Sequence, residues 1–219
     1  MKKIIQIPSL LKSLTALLLT LVLSQPTAKA QSPISLQADA GLSIASLKMK
    51  VLGIENDELH SINGLQGRLV AGYQLSDNFS LHAGLGYVQM GASVEHEDHH
   101  DDIRINALEI PVLFRYQLPL GSGSLGLSAG PALAYHLSAF VHEHEDGNET
   151  EEELTIGNDV NNDFLKPINL GLQAEVSYTH SSGMLLNLRY NAGLMELGTS
   201  DLIEMSNSYL AVGLGYRIF

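Results

Sequence analysis

Between Asn106 and Leu118, every second residue falls on one of two sides: Leu108, Ile110, Val112, Phe114, Tyr116 and Leu118, or Glu109, Pro111, Leu113, Arg115 and Gln117. A period of two marks an extended strand with one oily face. The oily face is unbroken, and the other carries Glu109 and Arg115, opposite charges on one short strand. The pattern recurs eight times behind an export-type N-terminus, a combination that points to a membrane barrel whose oily face is turned outward to lipid.

Lys2, Lys3 and Lys12 precede the apolar run Leu14 to Leu23, and Ala28-Lys29-Ala30 supplies a small-x-small cleavage site. Residues 1–30 therefore read as a cleaved signal peptide, and 31–219 as one barrel domain. A run of about ten apolar residues is too short for a helical anchor, which needs roughly 20. With no cysteine in the chain, neither a disulfide framework nor a lipid-attachment site is expected. No later stretch approaches the length of a membrane helix, so whatever spans a membrane here does so as a closed sheet, in which every backbone amide finds a partner. Removing the signal takes away four basic residues and no acid, leaving 8 basic against 24 acidic residues, a net of −16. Such a surface excludes nucleic acid as a partner.

The alternation predicts strands over Gln37–Lys50, Leu65–Leu75, Phe79–Ala92, Asn106–Leu118, Leu125–Val141 and Lys166–Thr179, a seventh through Leu186–Leu194, and an eighth over Asn207–Phe219. Three short turns, Ser76-Asp77-Asn78, Leu120-Gly121-Ser122-Gly123 and His180-Ser181-Ser182-Gly183, alternate with four long links near 53–64, 93–103, 142–164 and 196–206. In an antiparallel meander all long links then share one rim and all short turns the other, as in outer-membrane barrels with external loops and periplasmic turns. Charge follows the same division: 20 of the 24 acids lie in the long links. The expected fold is all-β, an eight-stranded antiparallel up-and-down transmembrane β-barrel located in the cell outer membrane.

Turning the oily phase to lipid sends Asp39, Arg68, Glu109, Arg115, Glu175, Arg189 and Arg217 into the lumen as one ion network. The opposite assignment would put four arginines in hydrocarbon at about 2–4 kcal/mol each near the midplane. Gln66, Gln74, Gln117, Gln173 and Asn187 are available to hydrogen-bond the same network, and the inward Gly84, Gly86, Gly130, Gly213 and Gly215 make room for the arginines. Eight strands enclose a space just filled by side chains, so a plugged lumen without a diffusion pore is expected. Pro111 and Pro131 each lack a ladder N–H and are expected to sit at bulges.

Leu108-Glu109-Ile110-Pro111-Val112-Leu113-Phe114-Arg115-Tyr116 resembles a segment of the PorT-like outer-membrane β-barrel family common in Bacteroidetes. Leu75-Ser76-Asp77-Asn78-Phe79-Ser80-Leu81, Ala129-Gly130-Pro131, Leu188-Arg189-Tyr190-Asn191-Ala192-Gly193-Leu194 and Gly213-Leu214-Gly215-Tyr216-Arg217 match in the same order. The resemblance implies an eight-stranded outer-membrane barrel, no catalytic residues and, from the founding member, a role as an accessory of a secretion apparatus. It also implies outer-membrane lipid and the barrel-assembly machinery as partners. Phe219 is the expected assembly signal, although it falls one residue out of the lipid phase of Tyr216 and Ile218.

Two links carry metal-ligating residues: His96, His99 and His100 with Glu95 and Asp98, then His142 and His144 with Glu143. Imidazoles among carboxylates suit zinc or copper. A weakly bound divalent metal is the one cofactor envisaged, and the acidic loops are expected to meet an unknown external ligand. His136 with Ser138, and His180 beside Ser181 and Ser182, are the only hints of a nucleophile and base. No orienting acid is placed with them, so no enzyme is expected. A soluble lipocalin-like barrel fits the local alternation but not the export signal or the four arginines.

Overall fold

A computed structural model describes residues 33–51, 54–55, 59–95, 99–145, 148–200 and 203–219; the expected signal peptide lies outside them. Eight long strands form the wall: β1 Ile34–Val51, β2 Ile62–Gln74, β3 Phe79–Glu95, β4 His99–Leu120, β5 Gly123–Glu145, β6 Ile168–His180, β7 Met184–Gly193 and β8 Ile203–Arg217. Each pairs antiparallel with its sequence neighbour. β8 pairs back onto β1 from Gln37↔Arg217 to Val51↔Ile203, which closes the sheet into a barrel. Beyond the last strand residue, Ile218 N–H still donates to the Leu36 carbonyl and Leu36 N–H to the Phe219 carbonyl.

The two faces separate as the alternation predicts. Leu42, Leu65, Leu85, Ile110, Leu133, Leu172, Leu188 and Leu214, one from each strand, are all between 44% and 68% exposed on the outside. An apolar belt this size is not a surface that water covers. Aromatic residues mark its edges: Phe79, Phe114 and Tyr116 cluster near the short turns, and Tyr87 and Tyr135 flank Leu108 farther up. Eight residues separate Phe79 from Tyr87; at ~3.4 Å per residue and ~40° of strand tilt that is a rise of ~20 Å, comparable with a membrane barrel's ~25 Å apolar band.

Strand ends differ from expectation on the long-link rim. β4 starts at His99, not Asn106, and β5 runs to Glu145, with Asn148–Glu153 folding back beside it. Links expected at 93–103 and 142–164 are thus partly strand. Ile54–Glu55 pairs with the end of β1 and Leu59–His60 with the end of β3, inside the first expected link.

The prolines do not sit at bulges. Ala83↔Val112 and Gly86↔Glu109 keep one register across Pro111, and Pro111↔Ala132 and Phe114↔Ala129 keep one across Pro131. Each proline merely leaves a gap in one ladder while its other ladder continues, with Pro131 opposite Leu172. The single shift lies between Asn106 and Ala107, which oppose Ser138 and His136 and leave Leu137 as the extra residue of β5.

Candidate functional site

Inside the barrel the polar phase gathers charges into two bonded groups. Arg68 Nε donates to Asp39 at 2.8 Å, and the same guanidinium bonds Glu175. Glu175 also accepts from Arg115 at 3.1 Å, and Arg115 reaches Gln37 at 3.2 Å and the Ser177 hydroxyl. Higher in the lumen, Glu109 accepts from the Tyr209 hydroxyl at 2.6 Å and from Gln173 at 3.0 Å. Arg189 donates to Gln66 at 2.9 Å and lies over the Tyr209 ring. Asp39, Arg68, Glu109, Arg115, Glu175 and Arg189 are all buried, three charges of each sign.

Arg217 stands apart. It is half-buried at the short-turn mouth, where an open depression of about 730 Å³ is also lined by Gln74, Gln117 and Ser124. Gln74 and Gln117 bond locally, to the Ser76 carbonyl and the Ser124 hydroxyl, and do not join the network. The glycines also divide differently from expectation. A Cβ on Gly86 would meet the Arg68 Cβ and one on Gly213 the Gln66 amide, whereas Gly84, Gly130 and Gly215 abut neighbouring backbone. Gly126 is the residue that makes room for Arg115: a Cβ there would stand 2.6 Å from Nε. Tyr209 and Gly126 are the working residues the sequence reading passed over. A tyrosine on the polar phase of a strand whose Tyr216 faces out was the available signal.

Above the network the interior turns apolar. Leu47, Ile62, Val88, Met90, Ile105 and Met205 from the strands pack with Leu165 and Leu197 from the links. Leu154, Ile156 and Phe164 add to the cluster. Backbone bonds tie these links together, Lys166 N–H to the Leu197 carbonyl at 2.8 Å and Leu197 N–H to the Met205 carbonyl at 2.7 Å. On their outer side the Asp159 carboxyl accepts from the Asn161 backbone N–H and the Asn162 side chain, which holds its pKa below the usual value.

The bulge at Leu137 separates His136 from Ser138. His136 is buried with Nδ1 2.7 Å from the Lys166 carbonyl, whereas Ser138 accepts from Asn106 on the other face. His180 Nδ1 lies 2.8 Å from the Ser182 hydroxyl and accepts the Ser182 N–H, so it caps an exposed turn. Phe219 is exposed at the same rim.

Of the metal candidates, His96 and Asp98 lie outside the described residues. The backbone pairs His100 with His144 and Asp102 with His142 across β4 and β5, and the side chains of Glu95, His99, His100, Glu143 and His144 lie outside the described ones. Among residues with described side chains, no three His, Asp or Glu group to hold a metal. His142 Nδ1 does approach Glu151 at 3.5 Å.

The family model described as "Outer membrane protein beta-barrel domain" matches residues 24–198. No curated protein sequence matches the chain. Among solved structures, OprG of Pseudomonas aeruginosa is 13% identical, with a TM-score of 0.47 over 84% of this chain and 95% of that one. Neisserial surface protein A is 17% identical, with 0.41 over 84% and 97%. Ail, the attachment invasion locus protein of Yersinia pestis, is 13% identical, with 0.39 over 83% and 97%. Likenesses this distant assign no activity.

Proposed function

Because the chain belongs to the outer membrane protein β-barrel domain family, we propose that it is a non-enzymatic envelope protein, its lumen closed to diffusing solutes and its external rim serving as a binding or structural element. It resides in the outer membrane, where lipid covers the belt of leucines and tyrosines. The observation that carries the closed lumen is the mutual pairing of Arg68, Arg115, Asp39 and Glu175 across the barrel interior, beneath the apolar cluster around Leu165 and Leu197. Groups that lined a water-filled passage would face it instead of one another. Eight-stranded barrels have interiors of about side-chain width, which supports the same reading. The purified barrel in a planar lipid bilayer is expected to pass no current above the bare-membrane baseline; a steady conductance would overturn the proposal.

An accessory role in protein secretion is the second reading, favoured by the PorT-like segment from Leu108 to Tyr116. In the wall, however, Glu109 and Arg115 of that segment turn inward and bond Tyr209 and Glu175, which gives the motif a job within the barrel itself. Lipid and, through Phe219, the assembly machinery complete the proposed partners.

A further inference from the structure

At the short-turn mouth the polar phase ends on a cation that the interior does not use. Arg68 and Arg115 pair with carboxylates, and Arg189 bonds Gln66. Arg217, the last residue of β8, is half-buried beside the open depression of about 730 Å³. Among the described residues no hydrogen bond or ion pair engages its guanidinium. The buried interior already holds three charges of each sign, so Arg217 is a fourth cation without a fourth anion. Its charge reaches Arg115, which it repels. Asp77 is the one acid among the residues lining the depression, and it is exposed on the turn. An anion arriving from outside would supply the missing charge.

The other polar groups of the depression have a fixed sense. Asn78 gives its amide nitrogen to the Gln117 carbonyl at 2.9 Å, and Gln74 gives its own to the Ser76 carbonyl. A backbone carbonyl only accepts, so in both side chains the nitrogen is the bonded end and the oxygen is left available. Gln117 likewise gives its nitrogen to the Ser124 hydroxyl. The depression thus offers one guanidinium, which only donates, and three amide oxygens, which only accept. Sulfate, which has no N–H, suits the guanidinium and meets three oxygens that it cannot satisfy. The carboxy-terminal end of a peptide suits both, with a carboxylate for the guanidinium fork and backbone N–H groups directly behind it for the amide oxygens.

We propose that this mouth captures the free carboxy-terminus of an extended peptide, its carboxylate on Arg217 and its backbone N–H groups on the oxygens of Gln74, Asn78 and Gln117. Capture of chain ends by a few converging polar groups is a recurring mode of peptide recognition. Short turns of outer-membrane barrels face the periplasm, so the peptide belongs to a partner on that side. The site is independent of the external rim and of the closed lumen, and a bilayer without current neither supports nor weakens it.

The test is a titration of the full chain, labelled with ¹⁵N-arginine and refolded in an uncharged maltoside detergent, followed through the Arg217 Nε resonance. N-acetyl-trialanine with a free carboxylate is the probe; the same peptide ending in a carboxamide, and sodium sulfate, are the comparisons. The free acid should give a saturable shift, and the carboxamide should bind about tenfold more weakly, as expected for the loss of a charge-assisted hydrogen bond. Saturation transfer to the peptide reads the variants, each confirmed as a closed barrel by heat-modifiable gel mobility. Arg217→Gln should weaken the acid about tenfold, and Arg217→Lys by less, because the charge stays while the fork is lost. Joint Gln74→Leu and Gln117→Leu should weaken the peptide without weakening sulfate. An Nε resonance that does not move, equal affinity for acid and carboxamide, sulfate binding as tight as the peptide, or unchanged affinity in Arg217→Gln would each overturn the proposal.

Discussion

Glu175→Gln probes the interior with the least change in shape. The carboxylate bonds both Arg68 and Arg115, and the three side chains are at most 7% exposed. Arg68 keeps Asp39 at 2.8 Å. Arg115 keeps only Gln37 and Ser177 among the partners described, neither of them charged. Three buried cations then face two buried anions, and one guanidinium is left without a counter-ion. Removing one partner of a buried pair costs about 3–5 kcal/mol, because the charge left behind is neither solvated nor paired. Burial this deep calls for no reduction for solvent screening of the kind that weakens exposed pairs.

Urea unfolding of the barrel in lipid vesicles measures the loss. Far-UV circular dichroism and gel mobility serve as probes, since the chain has no tryptophan. Adding Arg115→Met to Glu175→Gln should recover much of the stability, because it removes the orphaned cation and leaves an apolar side chain of similar length. A loss below about 1 kcal/mol for Glu175→Gln, the range of an exposed pair, would refute the idea that this network is desolvated. So would a double variant no more stable than the single one.

Three further outcomes follow from the same interior. Tyr209→Phe removes the 2.6 Å donor to Glu109 and should cost about 1–3 kcal/mol in the same assay. Gly126→Ala places a methyl 2.6 Å from Arg115 Nε and should cost about 1–3 kcal/mol as overpacking; the penalty should shrink in an Arg115→Met background. Leu165→Ala empties part of the apolar cluster, in which Leu165 is fully buried, at about 2–5 kcal/mol. It should leave the bilayer silent, since the ion network beneath remains; currents in this variant would assign closure to the apolar cluster alone.

The wall was legible because alternation there contrasts hydrocarbon with a polar interior. Leu108, Ile110, Val112 and Phe114 against Glu109 and Arg115 admit one orientation. Above the belt that contrast fades. From His99 to Asp102, His142 to Glu145 and Asn148 to Glu153 the sequence is rich in polar residues, so alternation no longer reports the strand, while the backbone ladder continues regardless. The bulge at Leu137 carries no proline or glycine at that position to announce it. Pro111 and Pro131, which looked like bulges, each interrupt one ladder and shift nothing. Leu154, Ile156, Leu197 and the pair Phe164-Leu165 were hidden because they lie in short links among acidic or polar residues, where a few apolar side chains look like loop residues.

These gaps share a cause that also explains how the molecule divides its work. Outward leucines leave water when the chain enters lipid, whether or not the sheet has closed correctly, so the belt decides residence and says little about shape. Shape is decided inside, where a charge without its partner or a glycine replaced by a larger residue meets an interior already full. The network of Arg68, Arg115, Glu175 and Asp39 can pair fully only when β1, β2, β4 and β6 are all in register, which makes it a check on closure as well as a filling. Neither task constrains β4 and β5 once they rise above the apolar cluster.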